Sequence, residues 1–283
     1  MLKKRIIPVL LIENQNLVKT INFRNKKYVG DPLNAIKIFN EKFVDELIIL
    51  DINKNKIDNK IDYQFLKDLF SECFVPVTYG GGISKLIDAD KILKLGAEKI
   101  CLNSAILENK NIVKEFAKNF GSQSIVASID IKKDIFNKFY IFNNKLNKLE
   151  KKIELTNFLV ELENLGVGEI LINSVDKDGT MSGMNYNIIE KTKEITNLPI
   201  IYCGGIGSIQ DIKNAFTHNI SGVAAGSFFV FYGPHKAVLI SYPHKDLEKL
   251  WLVIKIVQFV SWTHQQVIYS LTQMVNVTIA IIL

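Results

Sequence analysis

Cysteine is scarce: Cys73, Cys101 and Cys203 are the only three in 283 residues, and they sit inside separate apolar runs without CxxC or histidine-pair spacing. This argues against a disulfide framework and against a zinc site, and for reduced thiols in a cytoplasmic chain. Long apolar runs are missing as well. The most hydrophobic stretches, LWLVIKIVQFV and VIYSLTQMVNVTIAIIL, are interrupted by Lys255, Gln258, Gln273 and Asn276. Neither reaches the roughly 18 uninterrupted apolar residues of a membrane helix. The start MLKKRIIPVLLIEN meets Glu13 and Asn14 without a small-residue cleavage site, so it reads as a first strand rather than a signal peptide. No basic block with interleaved aromatics accompanies the net charge of +6, because lysine is spread along the chain beside asparagine and isoleucine. That distribution argues against nucleic acid and suits an anionic small substrate.

What is present is a repeat. Apolar strand-like runs at Arg5–Leu11, Glu46–Asp51, Val75–Tyr79, Lys99–Asn103, Ser124–Asp130, Glu169–Ser174, Pro199–Cys203 and Gly222–Gly226 alternate with Lys/Glu-rich stretches of helical period. Eight such units predict an α/β fold, a (β/α)8 barrel of the TIM type, rather than an open sheet.

The two halves of the chain also match. Laying VPVTYGGGIS on LPIIYCGGIGS places Gly81 on Gly204 and Gly82 on Gly205, and the same register places Glu46 on Glu169 and Ser104 on Ser227. Two homologous half-barrels follow. They would present equivalent strand-end glycines on opposite sides of one mouth: Gly81 and Gly82 with Asn103 and Ser104, and Gly204 and Gly205 with Gly226 and Ser227. Glycines let backbone N–H groups approach a phosphate closely, so a bis-phosphorylated or otherwise elongated dianionic ligand is expected. A pair of glycines alone is more often a tight turn; two matched pairs carry the reading.

The motifs RIIPVLL, LDI, GGGI, GSQSIVASIDIK, GEILINSVDKDGT, CGGIG and AAGSFF make the chain resemble the cyclase subunit of imidazole glycerol phosphate synthase, over about Lys4 to Pro243. The resemblance implies a lyase of histidine biosynthesis that turns a phosphoribulosyl aminoimidazole carboxamide intermediate into imidazole glycerol phosphate. It implies no cofactor and no metal. It also implies a class I glutaminase docked as a heterodimer partner on the N-terminal face, whose ammonia passes a charged ring and the barrel axis. By the same resemblance Arg5, Glu46, Lys99 and Glu169 are the ring, Asp130 is a catalytic acid–base at the end of strand five, and Lys19, Asp51, Asp178 and Gly179 line the substrate site. Two cations and two carboxylates from four strands can pair across the axis, as buried charges must, so a plug without traffic is the plain alternative. Helix capping is the plain alternative for Asp130, and a turn for DKDGT.

One departure matters. The second catalytic aspartate that the resemblance implies falls on Leu11, and the half-barrel register likewise faces Asp130 with Leu11. Glu13 shares the parity of Leu11 and would substitute only if the strand continues that far. Asn173 replaces a threonine and Cys203 a serine. This combination resembles a divergent branch in surface-polysaccharide pathways, where the barrel delivers ammonia for amidination of a nucleotide sugar by a sugar amidotransferase. A stand-alone phosphate-binding module is the third reading. The barrel is expected over residues 1–243, and residues 244–283 as an apolar extension outside the family pattern. A shifted reading frame, a final amphipathic helix and a membrane-associating segment are open for that tail, with Lys245 to Leu250 as a candidate last barrel helix.

Overall fold

A computed structural model describes residues 4–53, 61–243 and 247 of the chain. One compact unit covers Met1–Tyr242 and a second covers Pro243–Leu283. The readings of the tail, residues 244–283, concern residues that, apart from Leu247, lie outside the described ones.

The first unit is a closed parallel barrel of eight strands: β1 (Arg5–Glu13), β2 (Leu47–Asp51), β3 (Val77–Gly80), β4 (Lys99–Leu102), β5 (Ile125–Lys133), β6 (Glu169–Ser174), β7 (Ile200–Cys203) and β8 (Gly222–Ala225). Each pairs in parallel with the next, β8 returns to β1 with Arg5 opposite Gly222, and β5 meets β6 with Asp130 opposite Asn173. Both faces of these strands are apolar because helices cover the outside and the barrel interior fills the inside. Along β1 the alternation sends Ile7 and Val9 into the interior cluster with Ile48, Cys101, Val126, Leu171, Ile201 and Ala224, and Leu11 packs against it.

The helices are α1 (Pro32–Glu41), α2 (Tyr63–Ser71), α3 (Leu86–Leu95), α4 (Ser104–Glu108), α5 (Asn111–Phe120), α6 (Leu155–Leu165), α7 (Tyr186–Ile195) and α8 (Ile209–Thr217). Their starts are written locally. Asp31 accepts from Leu33 N at 2.8 Å and Pro32 opens α1, while Ser208 and Asp211 cap α8 reciprocally, with Asp211 N donating to Ser208 Oγ at 3.1 Å. The buried stripe of α1 is Ala35, Ile36 and Phe39. Among the described residues, no helix is long and apolar enough to cross a membrane.

The half-barrel repeat extends into the loops. After β1 an antiparallel strand, Asn16–Ile21, folds back with Leu11 opposite Val18, and a further strand, Arg24–Gly30, pairs with it. After β5 the strand Phe139–Asn143 folds back with Ile131 opposite Ile141 and then pairs with Lys148–Leu149. The two hairpins meet where the rings of Phe23 and Phe142 lie 6.4 Å apart.

Candidate active site at the C-terminal mouth

The C-terminal strand ends enclose a cavity of about 230 Å³. Lys19, Asp51, Gly81, Gly82, Asn103, Ser104, Asp130, Asp178, Gly179, Gly204, Gly205, Gly226 and Ser227 all line it. Sequence positions from residue 19 to residue 227 are brought together because most end a barrel strand or belong to the loop after it, while Lys19 comes from the strand Asn16–Ile21 that folds back after β1.

Asp130 is buried in β5 opposite Asn173 of β6, three residues before the strand ends, and the Asn103 amide donates to its carboxylate at 3.1 Å. Burial pushes its pKa up to about 7, against the hydrogen bond from Asn103, with the Asp178 charge adding to the rise and Asn173 opposing it. A carboxyl group poised there can give or take a proton near neutral pH. Lys19 reaches in from the strand Asn16–Ile21. Its ammonium donates to the Val9 carbonyl, and a Cβ on Gly226 would lie 2.6 Å from its Nζ, so it sits beside the end of β8. Burial lowers its pKa to about 8, with Asp178 pulling the other way. Asp178 in turn accepts from Thr20 Oγ1 at 2.7 Å and from Phe23 N at 3.1 Å, which fastens the loop after β6 to the hairpin after β1.

The loop glycines differ in their demands. Gly205 has φ +89°, and a Cβ there would meet the Gly183 carbonyl oxygen at 2.2 Å, so the fold itself requires glycine. Backbone packing alone thus calls for glycine at Gly205, whether or not a phosphate approaches it.

At the opposite end of the barrel four charges close a ring. Arg5, Lys99 and Glu169 each begin a strand, and Glu46 immediately precedes β2. Glu46 contacts Arg5 at 2.5 Å and Lys99 at 3.5 Å, while Glu169 contacts Lys99 at 3.0 Å and also pairs with Arg5. Thr78 donates to the remaining Glu46 oxygen at 2.7 Å. Each carboxylate thus holds both cations, the arrangement that makes buried charge tolerable.

Leu11 lines the cavity as an apolar side chain. Glu13 belongs to β1, but it pairs with Lys26 and is not among the residues lining the cavity, so it does not fill the place of a second acid. Asn173 and Cys203 both line the cavity; the Asn173 amide oxygen is buried without a hydrogen-bond partner, and burial pushes the Cys203 thiol up to about 12. The sequence reading missed Glu108, Asn144 and Lys145, which also line the mouth. The only local signal for them was the lysine-rich segment after β5, in which residues 132–152 carry seven lysines and two acids. The charge is less evenly spread than the sequence reading assumed.

Comparison with known proteins matches residues 5–235 to the family described as "Histidine biosynthesis protein". The chain is 45% identical over 251 residues to "Putative imidazole glycerol phosphate synthase subunit hisF2" of Pseudomonas aeruginosa, covering 88% of this chain and 99% of the relative. It is 47% identical over 255 residues to "Putative imidazole glycerol phosphate synthase subunit HisF" of Leptospira borgpetersenii, covering 89% and 100%. It is 38% identical over 231 residues to "Imidazole glycerol phosphate synthase subunit HisF" of Dictyoglomus thermophilum, covering 82% and 91%.

Proposed function

The chain belongs to the histidine biosynthesis protein family, as a barrel like the cyclase subunit of imidazole glycerol phosphate synthase, and from that membership we propose that it passes ammonia from a class I glutaminase along its axis to a phosphorylated ligand. The observation that carries this reading is the pairing of a closed four-charge ring at one barrel end with a cavity at the other, joined by an apolar interior. An ammonium ion would be costly to strip of water among Ile7, Ile48, Val126, Leu171 and Ile201, whereas neutral ammonia is small and only weakly penalised there. Exchange of one ring contact, such as Lys99 leaving Glu46, opens the ring while Arg5 keeps both carboxylates paired.

In the cavity the glycine loops and their following serines grip a phosphate at each end, Lys19 balances charge beside Gly226, and Asp130 moves protons on the ammonia adduct. In the histidine-pathway form the ligand is the phosphoribulosyl aminoimidazole carboxamide intermediate and the product is imidazole glycerol phosphate. Leu11 favours a second reading. Adding ammonia, expelling a leaving group and closing a ring call for an acid and a base, and the position across the mouth from Asp130 offers neither. In that reading the barrel delivers ammonia to a sugar amidotransferase that amidinates a nucleotide sugar in surface-polysaccharide synthesis.

Reconstitution with a class I glutaminase from the same genome tests the shared part. Chromatography should show a complex, and glutamine hydrolysis should rise when phosphorylated ligand is added. Lys99→Ala should leave ligand binding intact while uncoupling ammonia transfer. Failure to associate with any glutaminase of that genome would sink the proposal.

A further inference from the structure

The two phosphate grips are not equally equipped. At the end of β8 the second-half grip, Gly226 with Ser227, has the buried Lys19 beside it, carried on the hairpin that follows β1. At the end of β4 the first-half grip, Asn103 with Ser104, has no buried lysine among the cavity-lining residues. The half-barrel register lays Ser104 on Ser227 and therefore β4 on β8 and β5 on β1. The counterpart of Lys19 should come from the hairpin that follows β5 and lie against the end of β4. Of that hairpin's lysines Lys145 is the one that lines the cavity: it follows the strand Phe139–Asn143 and pairs with Glu108 at 2.6 Å.

Glu108 is four residues after Ser104 on α4, and both line the cavity. Residues four apart on a helix share one face, with Cβ atoms roughly 6 Å apart. Lys145 thus pairs with a carboxylate carried one helical turn along α4 from Ser104. The Lys145 and Glu108 side chains are 40% and 56% exposed, and an ion pair in such a setting contributes little by itself. A phosphate dianion outcompetes that single, screened carboxylate as a partner.

We propose that Lys145 is a phosphate-binding residue that leaves Glu108 when a phosphate group seats at Gly82 and Ser104, so that the hairpin after β5 closes the first-half grip as Lys19 furnishes the second. The inference rests on the phosphate-grip reading above and adds a residue to it. The hairpin's surplus of lysines over acids, seven to two across residues 132–152, supplies an attractive field at the same rim.

Titration of the full chain with inorganic phosphate at low ionic strength, followed by phosphorus NMR, separates the possibilities. Lys145→Gln should weaken binding about tenfold, the loss of one partly screened charge-assisted contact. Glu108→Gln should tighten it a few-fold by releasing Lys145, and the double variant should behave as Lys145→Gln. A purely structural ion pair would make the two single variants shift affinity in the same direction, and that result overturns the proposal. So does unchanged affinity in Lys145→Gln while Gly82→Val loses binding. If the unaltered protein binds no phosphate at all, the grip reading fails together with this one.

Discussion

Leu11→Asp is the perturbation that weighs the chemistry most directly. β1 and β5 stand opposite one another in an eight-strand ring, and side chains fill such a barrel, which puts the new carboxylate roughly 10 Å from that of Asp130. At an effective dielectric of about 20 the repulsion is roughly 1.7 kcal/mol, or about one pK unit shared between the pair. Asp130 already titrates near 7 because it is buried, so the pair should split, with one carboxyl protonated and the other ionised at pH 7 to 8. That is the acid-plus-base state the ring closure needs, and restoring a missing acid or base is worth about 10²- to 10⁴-fold in rate. The exchange of a partly buried leucine for a carboxylate should cost about 2 to 3 kcal/mol of stability. The assay supplies ammonium salt and the aminoimidazole carboxamide substrate and measures imidazole glycerol phosphate, with Leu11→Asn as the polar control lacking acid–base capacity. Slow turnover in the unaltered protein, raised by Leu11→Asp and not by Leu11→Asn, is the expected pattern. Robust turnover in the unaltered protein, abolished by Asp130→Asn and indifferent to Glu13→Gln, would refute the two-carboxylate reasoning.

Burial of Asp130 also makes a stability prediction. Its folded pKa of about 7 exceeds the unfolded value of 3.8, so between about pH 4 and pH 7 the unfolded chain loses a proton that the folded chain keeps, and stability falls as pH rises through that window. Asp130→Asn should therefore stabilise the fold at pH 8 by about 4 kcal/mol and raise Tm there, with little change at pH 4, as read by thermal denaturation; an unchanged or lowered Tm at pH 8 would contradict it. The glycine loops should respond unequally. Gly82→Val, at φ +67°, should weaken phosphate binding in calorimetry while the protein still folds, whereas Gly205→Val should lower Tm first because its side chain would meet the Gly183 carbonyl. Full phosphate affinity in folded Gly82→Val would mean that this glycine serves a turn only.

Much of this was legible in the sequence, because parallel strands buried on both faces announce themselves as short apolar runs and the helices between them carry their own caps. All eight strands fall on the runs that the alternation marks, and β6 occupies Glu169–Ser174 as the run does. The ends were less legible. β1 continues past Leu11 to Glu13 because the antiparallel strand Asn16–Ile21 pairs with it, and β3 starts at Val77 rather than Val75 because Pro76 offers no backbone N–H. Asp130 could be singled out only through resemblance. Its raised pKa comes from burial and from the Asp178 charge in the loop after β6, neither of which sequence spacing reveals. Glu108 and Lys145 were passed over for the same reason, since their contact joins separate loops and has no periodic signature.

The half-barrel symmetry sharpens what Leu11 means. Backbone devices are kept in both halves: the strand-end glycines, the serines after β4 and β8, and a folded-back strand after β1 and after β5. The ring residues Glu46 and Glu169 are also equivalent and hold the same two cations. Against that background the chemistry is one-sided, with Asp130 buried and poised while Leu11 packs against the apolar interior. A buried acid near pK 7 reduces stability at neutral pH, and a chain that merely held a ligand would be more stable with an asparagine there. On the proposed reading, Asp130 across the mouth from Leu11 would suit a reaction that needs one proton carrier. Proton transfer during ammonia release or capture fits that need more closely than a ring closure that must protonate one atom while deprotonating another.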